Sequence, residues 1–350
     1  MNYNFDQIIN RTGTRSLKWD QSERLFGNKD LLPMWVADMD FQAPPEVVEA
    51  LVRRAEHGIF GYTFRTDEYK EAILRWQETR HGWKPDPSWL CACPPGVVTA
   101  LSVLVDTLTV PGDRVMLQTP VYHPFYDVVA KNGRQLVRSP LRYADGRYEM
   151  DFELIERQIA EEQVKMILLC SPHNPVGRVW TRQELETLGE ICLRYGVVIL
   201  SDEIHGDLVY QGHKHIPFAS ISERFAQQSV VCTAPSKTFN IAGLHSSNIF
   251  IANPEWREAF LKKMQALALG TENNFTVVAA ETCYTHGAPW LDALLAYLEE
   301  NVNELERFVQ ERLPEVRVIR PEGTYLVWMD ARSITTDPAE MKKLMFQQAR

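Results

Sequence analysis

Four polar segments carry the residues of this chain that could do chemistry, and each directly follows a short apolar run. Thr119-Pro120-Val121-Tyr122 follows Val115-Met116-Leu117, and Ser171-Pro172-His173-Asn174-Pro175 follows Met166–Cys170. Asp202-Glu203-Ile204-His205 follows Val197–Leu200, and Ala234-Pro235-Ser236-Lys237 follows Val230-Val231-Cys232. A lysine drawn partly out of water can react as the neutral amine and form an imine with an aldehyde. A carboxylate such as Asp202 in an apolar setting needs a cationic partner. Asn174, stiffened between Pro172 and Pro175, offers an amide, and Tyr122 a flat ring. Gly96 opens a helical pattern, where the amides of Val97 and Val98 could meet a phosphate. Taken singly, each has an ordinary explanation: Asp202 a helix cap or structural ion pair, Lys237 a solvated side chain, Asn174 and Gly96 turn residues.

Taken together they are more specific. A phosphate nest, a stacking ring, an amide donor, a carboxylate and a lysine are the parts needed to hold pyridoxal phosphate. The carboxylate keeps the pyridine nitrogen protonated, the amide donates to the phenolic oxygen, and the lysine joins the aldehyde.

The elements that must position these groups alternate strand and helix. Pro44-Pro45 opens a helix whose apolar face is Val47, Val48, Leu51, Val52 and Ala55, with Gly58 closing it. Another helix runs through Tyr69, Ala72, Ile73 and Trp76 to Gly82, and a third from Val97 to Leu108. Thr181 and Glu184 form a capping box at the start of a further helix. The four apolar runs read as parallel strands buried on both faces. The chain is expected to turn helical from about Pro254 to Leu313, with short strands at Val316–Ile319 and Tyr325–Trp328. In an open α/β sheet ligands bind beyond the carboxyl ends of the strands, so the four polar segments should meet in one crevice.

Composition narrows the classes. The chain has 350 residues, 45% of them hydrophobic and 24% charged, as in an ordinary globular protein. Its net charge of −9 argues against a general nucleic-acid binder. No apolar run reaches the ~20 residues of a membrane span. The first residues lack a signal-peptide pattern, so the expected compartment is the cytoplasm. The six cysteines are expected to be buried thiols. His205, His213 and His215 are close in sequence, but no second ligand cluster completes a metal site, and none is expected.

The order Gly96, Tyr122, Asn174-Pro175, Asp202, Ser236-Lys237 resembles that of the fold-type-I, aminotransferase class I/II superfamily. Within it the chain resembles the MalY/PatB family of cystathionine β-lyases, which are C–S lyases. The likeness rests on Arg11–Thr14 with Lys18-Trp19-Asp20, on Leu32–Phe41 (LPMWVADMDF), on Phe60-Gly61-Tyr62 and on Cys170–Gly177 (CSPHNPVG). Ser201–His205 (SDEIH), Ser236–Asn240 (SKTFN) and Gly287–Leu291 (GAPWL) complete it.

The resemblance implies an α/β fold of the pyridoxal-phosphate-dependent transferase type. It would have a large domain with a mostly parallel central sheet flanked by helices and a smaller α+β domain. The implied division is 1–45 as N-terminal arm and part of the small domain, 46–280 as the cofactor-binding domain and 281–350 as the C-terminal small domain. Lys237 would carry the cofactor, Asp202 would pair with the pyridine nitrogen, and Tyr122 would stack on the ring; these three form the catalytic set. Asn174 and His205 would lie near the phenolic oxygen. Gly96, Val97, Val98 and Ser236 would surround the phosphate, and Tyr62 would reach the phosphate of a neighbouring subunit in a homodimer with shared sites. Ala37, Asp38 and Asn174 would contact substrate.

Three departures from the family pattern are visible. Ala234 stands where many relatives have a hydroxyl residue three before the lysine, and His245 where aminotransferases have an Arg eight after it. Either a weaker phosphate grip follows, or one that uses Ser236 and His245. Relatives also continue a few tens of residues further, to an Arg-x-Asn segment that binds the substrate carboxylate. This chain stops at Gln347-Gln348-Ala349-Arg350 within a helical pattern. The expectation is therefore either a truncated sequence or a lost clamp. The implied activity is β-elimination of cystathionine or another S-substituted cysteine, giving a thiol, pyruvate and ammonia. The alternatives are an aminotransferase, which shares the cofactor, and a regulatory protein that binds a transcriptional activator.

Overall fold

The computed structural model describes residues 3–348; Ala349 and Arg350, at the stop noted above, lie outside the described residues. The strands in chain order are β1 (Leu90–Ala92), β2 (Arg114–Thr119), β3 (Gln135–Pro140), β4 (Arg142–Ala144), β5 (Arg147–Glu149) and β6 (Val164–Cys170). They continue with β7 (Val198–Asp202), β8 (Ser229–Thr233), β9 (Asn248–Ile251), β10 (Arg317–Ile319) and β11 (Trp328–Asp330). Seven of them form one sheet in the spatial order β1-β9-β8-β7-β6-β2-β3. The pairs from β3 through β2, β6 and β7 to β8 are parallel, and β9 runs antiparallel to both β8 and β1. This is the expected α/β architecture with a mostly parallel sheet.

The continuous apolar runs make physical sense in this sheet, because alternate side chains of one strand enter opposite cores. Met116, Ile167, Leu169, Ile199 and Val231 face one core with Leu185, Leu188 and Ile191 of the helix Arg182–Tyr195. Leu117, Met166, Leu168, Leu200, Val230 and Cys232 face the other with Ala100, Leu101 and Leu104 of the helix Val97–Leu108. All five residues of β7 and all five of β8 are buried. The four expected strands are β2, β6, β7 and β8.

The helices begin and end where local chemistry requires. Thr66 caps the helix Asp67–His81 through its hydroxyl, and Gly82 ends it in the left-handed conformation. Thr181 and Glu184 make the expected capping box. The span from Pro254 to Leu313 is not continuous. It divides into Pro254–Ala266, Asn274–His286 and Ala288–Arg312, the second capped by the Asn273 side chain and the third begun by Pro289 after Gly287.

The strand expected at Tyr325–Trp328 begins only at Trp328. The preceding residues are held elsewhere. The amides of Glu322 and Gly323 both donate to the Gly177 carbonyl, at 2.8 and 3.0 Å, and that of Thr324 to the Leu208 carbonyl at 2.7 Å. Gly177 has a φ of +73°, and a Cβ there would meet Pro321 at 2.7 Å, so this docking point needs glycine. All six cysteines are buried and unpaired. No helix among the described residues is long and apolar enough to cross a membrane.

Candidate active site

The parallel strands bring their carboxyl ends side by side, which places the polar segments together. Cys170, Asp202 and Cys232 are cross-strand neighbours in β6, β7 and β8. The loops that follow them carry Asn174, His205 and Lys237. Tyr122 follows β2, which lies beside β6.

Asp202 is buried, and its Oδ1 accepts from the Ile204 amide at 3.1 Å. It makes no ion pair among the described residues. Burial pushes its carboxyl up to about 7, with the Ile204 amide and Lys237 opposing and Glu203 adding to the rise. The same negative centre pushes up the half-buried Tyr122 phenol, which burial raises first. Burial and Lys237 push the His205 imidazole down to about 3, so it is neutral, and its buried Nδ1 has no partner among the described residues. The Lys237 ammonium is pulled down by burial and lifted by the charges of Asp38 and Asp202.

Lys237 Nζ donates to the carbonyl of Ala37 at 2.6 Å, and the Tyr325 hydroxyl donates to the same oxygen at 2.9 Å. The Tyr325 ring stands edge-on to His205, with centroids 5.8 Å apart. A cleft of about 650 Å³ opens beside them, lined in part by Arg11, Ala37, Asp38, Lys237, Asn240 and His245.

Gly96 has a φ of +104°, a conformation that favours glycine, and it starts the helix Val97–Leu108. The amides of Val97 and Val98 have no acceptor among the described residues. Ser247 ties this turn to the chain beyond Lys237, its hydroxyl donating to the Cys93 carbonyl at 2.7 Å. The groups gathered here are therefore a buried carboxylic acid without a cationic partner, an imidazole nitrogen and a helix N-terminus without hydrogen-bond partners, and a partly desolvated amine. They are the complement of a planar ring bearing a basic nitrogen, a hydroxyl, an aldehyde and a phosphate, so the donor set fits pyridoxal phosphate.

Residues 29–349 match the family model described as aminotransferase class I and II. Cystathionine beta-lyase PatB of Bacillus subtilis (strain 168) is 49% identical over 347 residues, 99% of this chain and 89% of that protein. The chain belongs to the aminotransferase class I and II family. The crystal structure of cystalysin from Treponema denticola, which contains a pyridoxal 5'-phosphate cofactor, superposes with a TM-score of 0.95 at 38% identity. That match covers 99% of this chain and 88% of the other. A pyridoxal-phosphate-bound C–S lyase from Staphylococcus hominis matches at a TM-score of 0.91 and 37% identity, again over 99% and 88%.

Within this family member the remaining expected residues fall as follows. Ser236 is buried in the short helix Pro235–Thr238, while His245 is exposed on the rim of the cleft. Val97 is buried, and Val98 is exposed. Tyr62 is fully exposed beside the loop 271–275 and lines no part of the cleft within one chain. Asp38, expected at the substrate, lines the cleft and is also ion-paired. Its two oxygens accept from the two terminal Arg11 nitrogens at 2.9 Å each, and Lys18 Nζ lies 3.6 Å away. What this segment presents to Lys237 is the Ala37 carbonyl.

Several participants were not expected from the sequence. Asp40 accepts from Arg11, Lys18 and Trp19, each at 2.8 Å, and anchors the N-terminal arm. Asn240 makes three hydrogen bonds to the backbone of Met39 and Phe41. It lies three residues after Lys237, within a segment already singled out, and that spacing was its available signal. Tyr325 had none. Tyr325→Phe keeps the ring on His205 and removes one donor from the Ala37 carbonyl. Loss of one such bond is worth about 1 kcal/mol, so amide hydrogen exchange at Ala37–Met39 should speed up about five-fold. Unchanged exchange would show that Tyr325 does not hold the segment.

Proposed function

We propose that this protein catalyses the β-elimination of L-cystathionine or a related S-substituted cysteine, using pyridoxal phosphate held by Lys237. The observation that carries the reading is the pairing of a buried, cation-free Asp202 at a strand end with a partly desolvated lysine close enough to feel its charge. The names of the similar proteins, cystathionine β-lyase and C–S lyase, support the lyase outcome.

The roles follow from position. The amides of Val97 and Val98 and the Ser236 side chain would hold the phosphate at the helix N-terminus. Asp202 would hold a proton on the ring nitrogen, and that cation would in turn satisfy the buried carboxylate. Neutral His205 and Asn174 would face the ring hydroxyl, and Tyr122 would cover the ring. Pyridoxal phosphate supplies an electron sink for the charge left at a substrate carbon when its proton is removed. Lys237, once freed by the substrate amine, would take the Cα proton at Nζ. Burial favours the neutral amine that this step needs. The Ala37 carbonyl gives the freed ammonium an acceptor. A homodimer would bring the exposed Tyr62 to the phosphate of its partner. The cofactor-binding domain would run over 46–280, with β1–β9 and the Lys237 loop inside it.

Chemistry on this cofactor diverges after proton removal, so product identity is the test. Purified protein given L-cystathionine and no keto acid should release pyruvate and a thiol together. Product formation only when 2-oxoglutarate is added would overturn the proposal in favour of amino-group transfer.

A further inference from the structure

A largely buried polar network packs against the Lys237 turn and takes no part in the proposed chemistry. Its hub is Asp207, in the loop that follows Asp202 and His205. Asp207 Oδ1 pairs with His81 Nε2 at 2.9 Å and accepts from Trp76 Nε1 at 2.9 Å, both from the helix Asp67–His81. Its Oδ2 accepts from the Thr238 hydroxyl at 2.8 Å. Thr238 is fully buried and is the residue after Lys237. A second arm lies against the first. The His81 ring is edge-on to His215, centroids 5.2 Å apart, and His215 Nε2 meets Glu203 Oε2 at 2.9 Å. Glu203 adjoins Asp202, and its other oxygen accepts from Ser201 Oγ and the Phe218 amide.

Asp207 is largely buried, and a carboxylate so engaged by donors resists displacement, because any donor that leaves strands a desolvated oxygen. Asp207 holds together the helix that carries His81, the loop that follows Asp202 and carries His205, and the turn that carries Lys237. The Lys237 turn is a helix of only four residues, Pro235–Thr238, with no side-chain cap, so little within it fixes its own orientation. We infer that Asp207 is a positioning residue for Lys237, acting through the Thr238 hydroxyl to aim Nζ relative to Asp202. Displacement of a reacting amine by about 1 Å can cost up to about 100-fold in rate.

The inference rests on the proposed role of Lys237, and its test separates the two. The variants are Thr238→Val, which keeps shape and loses the hydroxyl, and Thr238→Ser, which restores it. Asp207→Ala leaves Trp76 and His81 unpartnered and can fail to fold, so it is not the deciding variant. With L-cystathionine and pyridoxal phosphate, Thr238→Val should lower kcat at least ten-fold with KM within two-fold, and Thr238→Ser should return kcat to within three-fold of the parent. The circular dichroism of the coenzyme band should fall in Thr238→Val at equal absorbance. In the coenzyme-free protein, reductive methylation of Lys237 by formaldehyde and a cyanoborohydride reductant, read by peptide mass spectrometry, should rise at least two-fold in Thr238→Val. Parental kcat, dichroism and methylation in a folded Thr238→Val would overturn the inference. Failure of the parent itself to bind pyridoxal phosphate or to turn over cystathionine would instead overturn the functional reading, and the methylation comparison would still decide whether Thr238 positions Lys237.

Discussion

Lys237→Ala is expected to lose both the near-visible absorbance of lysine-bound pyridoxal phosphate and at least 1,000-fold in kcat for cystathionine cleavage. The variant removes the amine that joins the aldehyde, and with it the base for the Cα proton; a positioned general base alone contributes roughly 10²–10⁴-fold. The fold should survive. The Ala37 carbonyl keeps the Tyr325 hydroxyl as a donor at 2.9 Å when the lysine is gone, and a partly desolvated ammonium is removed rather than stranded. The melting temperature should therefore stay within a few degrees of the parent. Absorbance spectra, thermal unfolding and steady-state pyruvate release measure the three quantities. Parental turnover by a folded Lys237→Ala protein would sink the assignment of Lys237, and with it the proposed function.

The sequence made the central strands and the strand-end residues legible for one physical reason. Strands β6, β7 and β8 are covered on both faces, so they read as unbroken apolar runs, and the polar residues that follow them stand out. The capping box at Thr181 was legible because both partners sit within four residues of chain. The strands β1 and β9 were not, since three or four residues carry no usable periodicity. Edge strand β3 mixes exposed Gln135, Arg138 and Pro140 with buried Val137 and Ser139, which does not separate it from a loop.

The same division runs through the site. Asp202, His205, Asn174 and Lys237 announce themselves by following strands. Tyr325 meets Ala37 across 288 positions, and Asn240 meets Met39 across 201. Nothing local in the chain signals such a pairing. Asp38 shows the converse. Its segment drew attention, but the Arg11 that engages its carboxylate lies 27 positions earlier, and only the folded arm reveals that the acid is already paired.

Asp202→Asn is expected to separate stability from function, and the pH dependence gives the sign. Asp202 holds its proton up to about pH 7 in the coenzyme-free fold, whereas an unfolded aspartate releases it near 4. Between those values the folded protein binds a proton that the unfolded chain has lost, so this group makes stability fall as pH rises through the window. The full cost is reached above the folded value and is on the order of 4 kcal/mol. Asparagine carries no charge and keeps an oxygen for the Ile204 amide. The coenzyme-free variant should therefore match the parent near pH 4 and exceed it by a few kcal/mol at pH 8, measured by denaturant unfolding. With pyridoxal phosphate bound the order should reverse. The ring cation would satisfy the wild-type carboxylate, and the amide could not hold that proton, so kcat should fall by roughly 100-fold or more. Equal stability of the two coenzyme-free proteins at pH 8 would mean that Asp202 is not held as a buried acid. A variant both more stable and fully active would mean that the buried charge serves no purpose in the reaction.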